Sequence, residues 1–125
     1  MEKILSKADM EELRNLPDKL FALRTQLLGL ACNKEELERN VEEQKLVVKS
    51  AVASQADAAG KPKFPNEFAR TAEVERILRE KPDFNKWERE INQLGASIEG
   101  NKVAISFLQD RLKVYDILAR LATAE

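Results

Sequence analysis

The 125-residue chain contains no histidine and a single cysteine, Cys32. Lone Cys32 cannot form an intrachain disulfide. Without histidine there is no Cys–His catalytic pair, no ordinary zinc site and no Glu-x-x-His di-iron motif. Aromatic residues make up only 6%, and glycine and proline number four each. That composition suits a helical chain better than a compact β fold. No uninterrupted apolar run reaches the roughly 18 residues of a transmembrane helix. Twenty-one basic and 22 acidic residues leave a formal charge of -1. The basic excess of a dedicated nucleic-acid-binding module is therefore missing. Phosphate-cradling glycine motifs are absent too. These absences lead to the expectation of a non-enzymatic protein with no cofactor, metal or small-molecule substrate and no membrane span. Residues 1–10 carry Glu2, Lys3, Lys7 and Asp9 and lack a signal-peptide core, so the expected compartment is the cytoplasm.

What the chain does have is a hydrophobic seam with a period of 3.5 residues on two long segments. The first runs through Leu16, Leu20, Leu23, Leu27, Leu30, Lys34, Leu37, Val41, Gln44 and Val48. The second runs through Trp87, Ile91, Leu94, Ile98, Asn101, Ile105, Leu108, Leu112, Tyr115 and Ala119. Alternating spacings of four and three are those of a coiled-coil seam. The fold expected is all-α, a long antiparallel two-helix coiled-coil hairpin with short additional helices at the N-terminus and in the connection. Cys32, two places past Leu30, points away from the seam and reads as an incidental exposed thiol.

One helical domain is predicted over residues 1–125. Ser6 and Asp9 have capping-box spacing and start a short helix within 1–15, with Ile4, Leu5 and Leu13 as its apolar side. Pro17 sets a break after Asn15, the alternative being one continuous kinked helix. The first long helix then occupies 16–58, with Gly29 tolerated inside it. A linker at 59–66, with Pro62 and Pro65 bracketing Phe64, is expected to be extended or polyproline-like. Asn66 caps a short helix at 67–81, whose apolar side is Phe68, Val74, Ile77 and Leu78. The last helix spans 83–122. Phe64, Phe68, Phe84 and Trp87 form a small satellite core, and Gly95 and Gly100 mark close packing or bending.

Antiparallel pairing that sets Leu16 opposite Ala119 also sets Leu20 opposite Tyr115, Val41 opposite Leu94 and Lys34 opposite Asn101. The last pair would form a shared polar layer, a known device for fixing register. The final helix carries more apolar surface than one partner covers: Val103, Phe107, Val114, Ile117, Leu118 and Leu121. Either the N-terminal helix folds back over this stripe or a second copy does. The second, a homodimer, is preferred. Lys61, Lys63, Arg70, Arg76 and Arg79 cluster around the linker as a candidate nucleic-acid patch, with Phe64 available for stacking. Interleaved Glu67, Glu73, Glu75 and Glu80 nearly cancel its charge, so nucleic-acid contact is the weaker expectation. Solvated helix faces account for the remaining carboxylates.

The segment KPKFPNEFARTAEVERILREKPDF, residues 61–84, resembles a linker motif of small coiled-coil proteins of phages and integrative mobile elements. The matching residues are Lys61, Pro62, Phe64, Asn66, Glu67 and Arg70, then Val74 and Leu78, then Pro82, Asp83 and Phe84. Pro65, before the asparagine, departs from the pattern. The resemblance covers about a fifth of the chain. It implies a non-enzymatic accessory to DNA recombination or replication. The function expected is thus an interaction or scaffold protein with a protein partner or itself. The alternatives are a weak nucleic-acid-binding factor using the linker patch and a prefoldin-like helical chaperone; the absence of strand signals counts against the second.

Overall fold

The computed structural model describes residues 5–124. Three helices account for nearly all of them: α1 at Lys7–Ala53, α2 at Glu67–Arg79 and α3 at Pro82–Ala124. The two long helices, α1 and α3, pack together. They contribute to two compact units, one of Met1–Ala31 with Ala96–Glu125 and one of Cys32–Gly95. All the seam positions predicted on α1 and α3 are buried or half-buried. The 3.5-residue period thus marks the inward faces correctly.

α1 begins with the capping box. The Ser6 backbone N–H donates to Asp9 Oδ2, and the Asp9 N–H donates to Ser6 Oγ, both at 3.0 Å. The predicted break after Asn15 does not occur. α1 runs through Pro17 without interruption, so residues 7–15 extend the long helix and do not form a separate one. Proline in a helix interior forfeits one backbone hydrogen bond and crowds the preceding turn, at about 3 kcal/mol. Tertiary burial offsets this: Leu16, beside it, is completely buried and Leu20 nearly so. Ile4 lies outside the described residues.

In the first unit the register differs from the expected one. The seam reading sets Asn101 beside Lys34. The Asn101 amide instead donates to Gln26 Oε1 at 3.1 Å. Tyr115, expected opposite Leu20, donates its hydroxyl to Glu12 Oε2 at 2.5 Å. Both partners lie eight residues earlier on α1, about one heptad. Two physical reasons account for the shift. A seam lysine needs no polar partner across the interface, because its stem stays on apolar surface while its ammonium reaches outward; that of Lys34 sits 3.7 Å from Glu38 of its own helix. And Gln26, beside the seam residue Leu27, is long enough to accept from the Asn101 amide from the flank, although the buried Asn101 Oδ1 is left without a hydrogen-bond partner.

The second unit has a core drawn from all three helices. Val41, Val48 and Val52 of α1 pack with Val74 and Leu78 of α2 and Phe84 of α3, and Phe64, Ile77, Trp87 and Ile91 line the edge. Phe68, expected in this core, is 86% exposed. α1 ends at Ala53, short of the predicted 58. The following residues are not an extended linker but a closed turn. Asp57 Oδ1 accepts from the N–H groups of Ala59 and Lys61, at 2.9 and 3.0 Å. Gly60 takes the left-handed φ of 79° that the turn requires. The Lys63 N–H returns to the Gln55 carbonyl at 3.0 Å, and Ala56 and Pro62 form an isolated bridge. Asn66 then caps α2 as predicted, accepting from the Ala69 N–H at 2.7 Å. Gly29, Gly95 and Gly100 are not close-packing sites: an added Cβ would meet nothing within 4 Å.

Candidate interaction face

α3 presents two apolar faces in the first unit. Its inward face carries buried Asn101, Ile105 and Tyr115. At 3.6 residues per turn, Val103, Phe107, Val114, Ile117 and Leu121 fall on the opposite side. They are 53–68% exposed. Leu118, at the margin of the stripe, is half-buried. The predicted stripe therefore exists as one contiguous face. Among the described residues no fold-back cover forms, because residues 7–15 continue α1. Arg111 partly shields Phe107, its guanidinium 5.7 Å from the ring centroid.

A polar clasp behind this face holds α3 to the start of α1. Arg111 donates to Glu12 through Nε and Nη2, both at 2.6 Å, and Nη2 also donates to the Tyr115 hydroxyl at 3.0 Å. The paired geometry is the strong form of an Arg–carboxylate contact. Hydrogen bonds from Arg111, then from Tyr115, hold the Glu12 carboxyl below its usual range. The same contact with Glu12 raises the Tyr115 phenol, since ionisation would set two anions side by side. Asp9 is also lowered, chiefly by the Ser6 backbone N–H. Glu12, Asp9 and Gln26 lie off the seam, so its periodicity carries no signal for them as partners. The available signal was opposite charge flanking the seam at Glu12 and Arg111. Met10, Phe21 and Leu28 on α1 are also exposed, at 48, 72 and 66%, and recur on one helical face.

The residues proposed for a nucleic-acid patch all lie in the second unit, largely committed to protein contacts. Arg76 is bound to Glu73 and, at 2.8 Å, to Glu80. Arg79 joins Glu75 at 2.5 Å, is bound to Glu88 on α3, and stacks 5.5 Å from the Phe84 centroid. The Arg70 guanidinium donates to the Phe64 carbonyl at 3.2 Å. Lys61 and Lys63 are exposed, the latter 5.6 Å from the Phe64 ring centroid. Arg70 also borders an open groove of about 500 Å3 whose rim includes Lys45, Lys49, Glu67 and Glu75. Mixed charge on that rim gives no single-sign field for an anion.

Among the described residues, no group of three or more His, Cys, Asp or Glu side chains is placed to hold a metal ion. No described helix is long and apolar enough to cross a membrane. The face that stands out chemically is thus the apolar back of α3. No protein-family model matches the chain, and no curated protein or solved structure matches it either.

Proposed function

We propose that this chain is a non-enzymatic interaction or scaffold protein that works through the back of α3. The observation that carries the reading is the row of Val103, Phe107, Val114, Ile117 and Leu121, each more than half exposed on one side of a helix whose other side is buried. Contiguous exposed apolar surface marks a site of association. Within the first unit, Glu12 partners Arg111 while Gln26 partners Asn101. Partners further along α1 lie earlier on α3, which supports antiparallel coiled-coil pairing of the two helices. The motif at residues 61–84 supports a role as a mobile-element or phage accessory to DNA recombination or replication, in the cytoplasm. The partner is another protein or a second copy of the chain.

Replacing Phe107 and Val114 together with Glu tests the reading. The expected result is unchanged helix content by circular dichroism, with loss of co-purification of recombination or replication proteins from the native host and of any self-association. A double variant that keeps every association of the wild type would sink it. Single-stranded DNA binding that weakens with salt and disappears on replacing Lys61, Lys63 and Arg70 would favour the nucleic-acid reading instead.

A further inference from the structure

The stripe is interrupted once, and the interruption specifies an occupant. Val103, Phe107, Asp110, Val114, Ile117 and Leu121 follow spacings of four, three, four, three and four, a second coiled-coil seam on the back of α3. Asp110 is its one charged member and is exposed, as is Lys113 beside it. Among the described residues neither has an ion-pair partner. We propose that a second copy of this chain covers the stripe, with its α3 running antiparallel to the first about a two-fold axis near Leu112. This proposal rests on the association reading above and names the partner and its polarity.

Charge decides the polarity. In a parallel pair each seam residue meets its own copy, so two Asp110 carboxylates would face each other in the middle of an apolar seam. Like charges in such a layer oppose association. In the antiparallel pair Val103 meets the partner's Leu121, Phe107 meets the partner's Ile117, and Asp110 meets the partner's Val114. Lys113 of each chain then flanks Asp110 of the other, so the unpaired groups neutralise each other across the axis. Arg111, the other cation near the axis, is already held by Glu12 of its own chain. The self-complementary pattern is that of a two-fold interface. The five apolar residues expose together about 500 Å2, so two copies would bury through them at most on the order of 1,000 Å2, the lower limit for a specific interface.

The test uses the full chain with Cys32→Ser and one added cysteine. Val103→Cys and Leu121→Cys variants, tagged to differ in mass, are oxidised separately and mixed. At least fivefold more disulfide-linked dimer is expected in the mixture, as the mixed species, than with either alone. Self-linking of Val103→Cys that matches the mixture would overturn the antiparallel arrangement while leaving association through the stripe standing. Sedimentation as a monomer at high micromolar concentration would overturn self-association, and co-purification of other proteins through the same face would still be scored separately. A second pair of variants excludes damage to the fold as the cause. Asp110→Lys and Lys113→Asp chains should each dimerise at least tenfold more weakly alone than when mixed, because only the mixture restores both opposite-charge contacts. Equal dimerisation in all three samples would overturn the assigned role of these two residues.

Discussion

The two units solve the same problem with different numbers of helices. In the second, α2 lies over α1 and α3, and Val52, Leu78 and Phe84 are each only 1% exposed. There the exposed side of α3 is polar, with Lys86, Arg89, Asn92 and Gln93. Among the described residues of the first unit, only two helices meet. The inward faces are buried, a Glu12–Arg111–Tyr115 clasp holds the flank, and the outer side of α3 turns apolar. The difference on α3 is one of face: its back is apolar where it meets α1 alone and polar where α2 joins them, although Leu46, Val47 and Phe68 of the second unit are exposed elsewhere. Two helices can bury one face each, so in the first unit the apolar back of α3 is left exposed.

The sharpest way to break this comparison is to open the three-helix core. Phe84→Ala leaves a cavity where all three helices meet, and a loss of about 3–5 kcal/mol is expected. Urea denaturation gives the loss, and hydrogen exchange should show α2 losing protection before residues 101–115. Uniform loss of protection would mean that the units do not differ in local stability. Next in size is a gain. Pro17→Ala restores a backbone N–H inside α1 and should stabilise the chain by about 1–3 kcal/mol in the same assay. No change would mean that α1 bends at Pro17 in solution and already accommodates the ring.

A smaller effect sharpens the role of α2. Asn66→Ala removes the acceptor for the Ala69 N–H and should cost about 1 kcal/mol, confined to the second unit. The smallest expected effect is a pH dependence in each unit. Glu12 and Glu73 both have lowered pKa values in the folded chain, through Arg111 and Arg76 respectively. A lowered carboxyl contributes stability above its unfolded value, usual for Glu at 4.5, and loses it as pH falls through the folded one. Both units should therefore weaken with acidification below about pH 4.5. Glu12→Gln should flatten that response for residues 101–115 and Glu73→Gln for α2, as read by exchange protection against pH. Retention of the full acid response after either change would show that the pair contributes nothing measurable, as many exposed pairs do.

Much of this architecture is legible in the amino-acid sequence. Burial at the seam positions, from Leu16 to Val48 and from Trp87 to Ala119, follows from a pattern that only a helix period explains. The Ser6 and Asn66 caps were readable because a cap needs only residues three or four apart. So was the bare stripe on α3, since the apolar positions exceed what one inward face can use. The register was not legible. Spacing along each seam repeats every heptad, so a slip of seven or so leaves the apolar pattern almost unchanged, and the choice falls to flanking groups such as Gln26 and Glu12. The path of α1 through Pro17 was legible only as the alternative to a break, because burial of Leu16 and Leu20 outweighs a local penalty that favours a stop.

By itself, then, the sequence determined what repeats and what is local: helical period, inward faces, caps and the charge beside each apolar row. Tertiary structure alone decided which polar groups meet across the two long helices, as Gln26 with Asn101 and Glu12 with Arg111 and Tyr115. Those outcomes depend on groups far apart in the chain competing for the same partners. No local pattern contains that competition, because its free energy appears only when the helices pack.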